Sequence, residues 1–445
     1  MKHFDEARQN VLTTLSHQDV EAHVEKVCAI FDLKGRCRIL AVPAVGKESV
    51  VVRAILQPLF KAAADIFWGG EDVWIHSKSS LLSRKAIYDA VWKEAKRYSP
   101  NSGKQWILDR HLSKDSWFGS PFELPWPLND KSPPIISFFS FKGGVGRTTS
   151  LVAFATNLAR AGKRVLVVDF DLEAPGVGTL FGPTGGDETS FGVVDFLLEW
   201  PIAPNGTIDI ADYCNACDDS RIVGSGPEII CVPAGKVDER FIEKLARINY
   251  EYLYRSASEP GAPAADKSPI HQLLNQLRHR WNPDFVLIDS RAGLHDLGGL
   301  SLSGIAHWHV LFGLNSEQSW QGISVAVSHL GKQEVLSGRK QRDCTLVQSM
   351  TPSPQAGREQ AVDSFKNRAY EVFSNLYYDD PQSPDAEWPV PDSEDPDQPH
   401  SPQLLSWDNR VFGYDSVADV ADIVCEGEYR TLTNAILGKL GRPTL

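Results

Sequence analysis

The sequence lacks any apolar run that approaches the ~20 residues needed to cross a bilayer. Its first ten residues, MKHFDEARQN, also lack the basic, apolar and small-residue order of a secretory signal. The chain has seven cysteines, an odd number, which does not suggest the paired framework of a secreted disulfide protein. These absences predict a cytoplasmic protein with free thiols and no membrane partner.

A surplus of positive charge is absent as well. Lysine and arginine together number 45 against 57 aspartates and glutamates, so the formal net charge is −12. Such a surface repels DNA, and a nucleic-acid role would need a local basic patch. The sequence therefore gives no direct evidence for a nucleic-acid partner.

The first part of the chain has the patterns of a small α/β domain. Residues 1–118 mix helical patterns with short apolar strands such as CRILAV at 37–42. The stretch up to Phe31 is interpreted as two amphipathic helices, and residues 48–67 as a helix that Pro58 kinks or splits. No motif in this domain reveals its role.

Two proline-rich segments interrupt the chain. Residues 119–134 contain five prolines, too many for a helix or a central strand, and they predict a semi-rigid linker. Residues 381–402 contain seven prolines and six acidic residues but no lysine or arginine. This composition cannot bury enough apolar surface to order itself, so the second segment is predicted to be a mobile acidic insertion.

From residue 135 onward, short apolar runs alternate with helical patterns. The runs are IISFFS (135–140), RVLVVDFD (164–171), EIICVPAG (228–235), PDFVLIDS (283–290), WHVLFGLN (308–315) and CTLVQS (344–349). Apolar strands separated by helices predict a mostly parallel, doubly wound sheet with helices on both faces. Residues 135–445 are therefore expected to form one α/β domain.

The first apolar run leads into a glycine-rich loop, SFFSFKGGVGRTTS at residues 137–150. The loop is similar to the phosphate-binding pattern G-x-x-x-x-G-K-[ST], but Phe141 replaces the first glycine and Arg147 replaces the lysine. Glycines let backbone N–H groups turn towards an anion, and the following helix adds its positive end. The predicted nucleotide-binding residues are Gly143, Gly144, Val145, Gly146, Arg147, Thr148 and Thr149. The Thr148 hydroxyl is also a predicted ligand for Mg²⁺.

Two further motifs follow in order, VLVVDFDLEAPG at 165–176 and DFVLIDSRAGLHD at 284–296. Together with KGGVGRT, they resemble the deviant Walker A ATPases, which include the ParA and MinD partition and division-site ATPases and the arsenite-pump ATPases. The resemblance is closest to a bacterial subgroup whose loop reads KGGVGR, and it covers residues 135–445. It implies a P-loop NTPase fold, ATP and Mg²⁺ as cofactors, and an adenine-contacting loop near residues 349–354.

The resemblance also implies roles for single residues. Asp171 matches the aspartate that positions the attacking water, Asp169 one that supports the metal, and Asp289 the Walker B acid that holds Mg²⁺ through water. Lys142 matches the signature lysine that reaches the nucleotide of a second subunit, which implies an ATP-dependent homodimer. Residues 290–296 would form a switch segment that responds to the γ-phosphate.

Arg147 bears on whether such a site still catalyses. Arginine keeps the positive charge and can grip phosphate with two N–H groups, but it is bulkier than lysine. Phosphoryl transfer depends on accurate placement of that charge. The sequence therefore predicts that ATP–Mg²⁺ binds and is hydrolysed slowly, with Lys142, Asp171 and Arg147 as catalytic residues.

Three classes of function remain open at this point. A nucleotide-driven dimer switch would engage a protein partner through the first domain, as in bacterial partitioning, positioning or phage-defence systems. A nucleotide-sensing scaffold would bind the nucleotide without turnover. An ATP-dependent biosynthetic ligase of the same superfamily would need an acceptor-substrate pocket with its own polar residues, and the sequence reveals none.

Overall fold

The computed structural model of the chain describes residues 4–32, 36–69, 73–77, 82–98, 103–109, 124–182, 191–203, 208–248, 253, 268–337, 344–352, 357–378 and 390–445. The chain groups into two compact units, Met1–Ser113 and Lys114–Leu445. The division falls near residue 118, where composition places the end of the first domain.

The first unit is a five-stranded mixed sheet with helices packed on it. Its strands are β1 Val24–Phe31, β2 Cys37–Pro43, β3 Trp74–Ile75, β4 Lys96–Arg97 and β5 Gln105–Asp109. Its helices are α1 Phe4–Thr14, α2 Gln18–His23, α3 Ser49–Ala64 and α4 Leu82–Glu94. The strand order is β3-β2-β1-β5-β4, with β1 antiparallel to β2 and parallel to β5.

Two expectations for this unit need correction. The stretch before Phe31 changes from helix to strand at Val24, and residues 27–31 are buried in a row. A central strand with both faces covered has a continuous apolar run, which periodicity cannot distinguish from a buried helix. Pro58 lies inside α3, which continues to Ala64, so the helix is not split. The buried positions of α3 recur every four residues, at Val52, Leu56, Phe60 and Ala64.

The second unit contains an eight-stranded sheet. Its strands are β6 Ile135–Ser140, β7 Val165–Phe170, β8 Asn215–Cys217, β9 Ile229–Val232, β10 Phe285–Ser290, β11 Trp308–Gly313, β12 Cys344–Thr351 and β13 Gln403–Ser406. Their order is β13-β12-β11-β6-β10-β7-β9-β8, and every pairing is parallel except that of β8 with β9. The mostly parallel α/β fold expected from the sequence is confirmed.

Helices cover both faces of this sheet. They are α5 Arg147–Arg160, α6 Val177–Leu180, α7 Val193–Glu199, α8 Ser220–Val223, α9 Phe241–Ala246, α10 Pro269–Trp281, α11 Asp296–Leu300, α12 Glu317–Ser337, α13 Arg358–Leu376, α14 Ala421–Val424 and α15 Gly427–Lys439. Alternate residues of β7 belong to different cores: Leu166 and Val168 pack on the side of α10, Val165 and Val167 on the side of α5. None of the helices in the described ranges combines the length and apolar character that a membrane crossing requires.

Part of the proline-rich segment 119–134 is packed on the second unit. Trp126 is 3% exposed and belongs to the core on the α10 side of the sheet. Its indole N–H donates to the carbonyl of Pro133 at 2.8 Å, and its own carbonyl lies 2.8 Å from Nε2 of His307. Residues 124–134 are therefore anchored by one large aromatic side chain, which the proline count does not predict.

The described part of the acidic insertion is also packed. His400 is 2% exposed, and its Nδ1 lies 2.8 Å from the Tyr378 hydroxyl. The Ser401 hydroxyl donates to the carbonyl of Asp395 at 2.5 Å. The expectation of a mobile segment therefore does not hold for residues 390–402, because turn hydrogen bonds and one buried histidine order them. Residues 381–389 lie outside the described residues.

Candidate functional site

The glycine-rich loop joins the carboxyl end of β6 to the start of α5. Gly144 and Gly146 have φ values of +71° and +80°, a conformation that residues with a side chain rarely adopt. A Cβ atom on Gly143, Gly144 or Gly146 would meet no described atom within 4 Å, so the space beside the loop is open. Val145, 3% exposed, anchors the loop in the core beneath.

Phe141 replaces the first glycine of the loop pattern, and a notch on α12 accommodates its ring. A Cβ atom on Gly322 of α12 would lie 1.9 Å from Cγ of Phe141. Gly322 has no side chain, and this leaves the space that the Phe141 ring occupies. Lys142, the next residue, is half-buried.

Three aspartates meet at the carboxyl edge of the sheet below this loop. Asp169 in β7 and Asp289 in β10 are paired directly across two parallel strands, and Asp171 follows just after β7. Their exposed fractions are 0%, 1% and 8%. This edge is where open α/β sheets bind ligands. The fold thus brings together the three acids that the sequence predicts.

Arg147 at the start of α5 bridges two of these acids. Its Nε donates to Oδ1 of Asp289 at 2.8 Å, and its Nη2 donates to Oδ2 of Asp171 at 2.9 Å. The Thr148 hydroxyl donates to the other oxygen of Asp289, also at 2.8 Å. Arg147 is only 8% exposed, so this is a buried charge pair with almost no competing water. The guanidinium faces the acidic strand ends.

Burial and charge act in opposite directions on the ionisable groups here. Burial would lower the pKa of the Arg147 guanidinium, but the facing Asp289 and Asp171 carboxylates outweigh burial and raise it. Burial raises the pKa of Asp289, although the Arg147 guanidinium opposes the rise. Burial also raises the pKa of Asp169, and the nearby Asp289 carboxylate adds to that effect. One cation therefore does not balance the three acids.

Both oxygens of Asp169, the acid expected to support the metal, accept backbone hydrogen bonds. Its Oδ1 accepts the backbone N–H of Asp171 at 3.0 Å, and its Oδ2 accepts those of Gly176 and Val177 at 3.2 Å. These hydrogen bonds occupy both oxygens and hold the turn that follows β7. These contacts give Asp169 a part in placing Asp171.

The oxygens of Thr148 and Asp289 fit Mg²⁺. Both are hard oxygen donors, and they lie 2.8 Å apart beside the N-terminus of α5. Mg²⁺ is usually held by one or two protein oxygens together with substrate phosphates and water. No group of three or more His, Cys, Asp or Glu side chains in the described ranges could hold a metal ion. The donor set therefore fits a cation that arrives with a polyphosphate.

Glu173 joins the loop that carries Asp171 to the loop that follows β10, the strand of Asp289. Its carboxylate forms an ion pair with Arg291, and its Oε1 lies 2.9 Å from Nε2 of His295. Burial would raise the pKa of Glu173, but the hydrogen bonds from His295 and Arg291 outweigh it and lower that pKa. In the sequence Glu173 is only one residue of the motif at 165–176. Nothing in its spacing shows that the two loops meet, so its role cannot be predicted from the sequence.

Tyr414 lies beside the start of α5. The Tyr414 hydroxyl lies 3.5 Å from the hydroxyl of Thr149, and no sequence signal connects residues 265 positions apart. In the segment expected to contact adenine, Ser349 is buried, and residues 353–356 lie outside the described residues.

Comparison with known proteins supports this description of the loop. Residues 134–177 match a protein-family model described as an AAA domain. The septum site-determining protein MinD of Escherichia coli K12 is 48% identical over 48 residues, which are 11% of this chain and 18% of MinD. The loop and its flanking elements are similar in sequence to a segment of MinD. The chain spans under a fifth of the length of the curated relatives it matches, so the likeness concerns the loop and its flanking elements.

Solved structures are similar to parts of the chain at low sequence identity. The ParA of pNOB8 bound to nonspecific DNA has a TM-score of 0.45 and 14% identity, over 70% of this chain and 99% of that one. MinD of Pyrococcus horikoshii OT3 complexed with Mg-ADP has a TM-score of 0.34 and 20% identity, over 52% and 77%. At these values the similarity carries no information about ligands or partners.

Proposed function

We propose that this protein binds ATP with Mg²⁺ at the glycine-rich loop and hydrolyses it slowly. The observation that supports the proposal best is the meeting of Arg147, Thr148 and Asp289 beneath a loop with two left-handed glycines. Cation, hydroxyl and carboxylate are the three groups that a nucleotide phosphate and its metal require. Few other ligands would need all three at a helix N-terminus.

In this proposal each group has one task. The backbone N–H groups of residues 143–149 and the N-terminus of α5 hold the phosphates. Arg147 turns from the acids to the β- and γ-phosphates, and Asp171, freed by that turn, positions the attacking water. Thr148 and Asp289 would hold Mg²⁺, which neutralises charge on the phosphoryl oxygens. Lys142 would reach the nucleotide of a second copy of the chain in an ATP-dependent homodimer.

The first unit would couple this cycle to a protein partner. We propose a cytoplasmic role in a partitioning, positioning or phage-defence system, without a membrane. The net charge of −12 argues against a nucleic-acid partner. Sizing the full chain with ATP, with ADP and without nucleotide tests the switch: only ATP should double the mass.

A nucleotide-sensing scaffold without turnover is the second candidate. It is favoured by the ion pairs of Arg147, which occupy Asp171 and Asp289, the acids that hydrolysis would need. Single-turnover measurement with radiolabelled ATP separates the two candidates, because phosphate release above the rate of free ATP supports the enzyme.

Both candidate functions require that ATP binds with Mg²⁺, and calorimetry of the full chain tests this binding. Titration with ATP and excess Mg²⁺ should release or absorb heat with a stoichiometry of one per chain. If neither ATP nor GTP gives a binding isotherm with Mg²⁺, both candidates are wrong.

Glu173→Gln should slow turnover without weakening ATP binding. The neutral amide loses the ion pair with Arg291, so the loop that carries Asp171 and the loop that follows Asp289 move more freely. Small misplacement of reacting groups is costly, and we expect single-turnover hydrolysis to fall by about 10- to 100-fold. Calorimetric ATP affinity should stay near the wild-type value, since the ion partners of Glu173 are Arg291 and His295 and lie outside the glycine-rich loop.

Glu428→Gln is the matched control for this variant. Glu428 also pairs with an arginine, Arg358 at 2.8 Å, and it lies on α15. Its turnover should equal that of the wild type. Equal slowing in both variants would show a general loss of rigidity and contradict the specific role of Glu173.

A further inference from the structure

We propose that Arg147 occupies the place of the divalent cation until nucleotide binds, so that free metal is excluded from the site. The inference rests on the proposed function and concerns the order in which its ligands enter. It depends on the surroundings of Asp289, the acid that would hold the metal.

Both oxygens of Asp289 already have a donor. Oδ1 accepts from Nε of Arg147 at 2.8 Å, and Oδ2 accepts from the Thr148 hydroxyl at 2.8 Å. The same guanidinium also holds Asp171 through Nη2. A metal ion must therefore displace a positive charge from two carboxylates at once.

Burial makes this displacement costly for free metal. The side chains of Arg147, Asp171 and Asp289 are only 8%, 11% and 2% exposed. Without another acceptor for the guanidinium, its removal would leave a buried, unpaired cation. Free Mg²⁺ would also have to shed part of its hydration shell, which it does reluctantly.

A nucleotide supplies the missing acceptor. Phosphate oxygens accept arginine N–H groups in the same two-pronged geometry as carboxylates. When Arg147 turns to the phosphates, Asp171 and Asp289 lose their counter-charge together and attract a divalent cation. Nucleotide and metal then strengthen each other's binding, and the effect is reciprocal.

Arginine is essential to this arrangement, because lysine cannot reproduce it. A guanidinium donates from separate nitrogens to two acids, whereas an ammonium carries its three donors on one nitrogen and cannot span the same distance. Arg147→Lys keeps the charge but loses the bridge. The proposal therefore predicts that this variant admits metal, although the net charge of the site is unchanged.

Mn²⁺ binding to the nucleotide-free full chain, followed by electron paramagnetic resonance, tests the inference. Arg147→Lys should bind Mn²⁺ about fivefold more tightly than the wild type, and Arg147→Met about tenfold or more. Arg164→Met is the matched control: this arginine pairs with Asp284 at 2.9 Å but is 47% exposed, and its variant should bind Mn²⁺ like the wild type.

Two outcomes would overturn the inference. If Arg147→Lys binds Mn²⁺ like the wild type while Arg147→Met binds more tightly, only net charge matters and the bridge does not. If the wild type itself binds Mn²⁺ as tightly as Arg147→Met, the arginine excludes nothing. Circular dichroism tests whether each variant is folded. If Arg147→Met does not fold, Arg147→Gln is used in its place. Failure of ATP binding in calorimetry would instead overturn the proposed function.

Discussion

Arg147→Met should lower the affinity for ATP by about 100-fold or more in calorimetry of the full chain. The phosphates lose a charged hydrogen-bond donor, the guanidinium that is proposed to turn from Asp171 and Asp289 to ATP. Hydrogen bonds to charged groups contribute about 1.5–3 kcal/mol each, and a factor of 100 corresponds to about 2.8 kcal/mol. Loss of this one charged donor therefore accounts for most of the expected decrease in ATP affinity.

Arg147→Lys separates charge from shape in the same experiment. The lysine keeps the attraction for phosphate, so affinity should fall by less than about tenfold, and turnover should be preserved or rise. Arg164→Met, which removes an exposed arginine, should bind ATP like the wild type. If Arg147→Met bound ATP as tightly as the wild type, our placement of the phosphates over the loop would be wrong.

Asp289→Asn should abolish the Mg²⁺ dependence of the site while leaving the fold intact. The amide cannot hold the cation through a full negative charge, and metal-ion catalysis contributes several kcal/mol, so single-turnover hydrolysis should fall by about 100-fold or more. The ratio of ATP affinities with Mg²⁺ and with EDTA should fall towards one. This ratio can be measured even if turnover is slow.

The stability of the same variant distinguishes a functional acid from a structural one. Burial raises the pKa of Asp289, so its ionised form destabilises the folded state at neutral pH. Neutral asparagine removes that cost, and Arg147 keeps its ion pair with Asp171. We expect urea unfolding to give a free energy equal to or above that of the wild type.

Asp284→Asn is the control, since Asp284 pairs with the exposed Arg164. Its variant should lose at most about 1 kcal/mol of stability and keep its Mg²⁺ dependence. A loss of several kcal/mol in Asp289→Asn, with hydrolysis unchanged, would make Asp289 a structural residue and contradict the proposal.

In the second unit the apolar pattern alone predicts most of the strands of the sheet. The runs at 135–140, 164–171 and 283–290 correspond to β6, β7 and β10 within one or two residues, because a strand covered on both faces must be apolar throughout. β8 and β13 were missed, because strands of three or four residues carry too little pattern. In the first unit the same kind of continuous run predicts a helix at β1, which is wrong.

The sequence by itself determined the type of sheet, the position of the glycine-rich loop and the three acids at the strand ends. These follow from local chemistry: apolar runs, residues without a side chain, and charges placed just after buried segments. Only the tertiary structure decided the partners of Arg147, the turn held by Asp169 and the bridge through Glu173. Those contacts join residues up to 142 positions apart, and their geometry depends on which strands lie side by side.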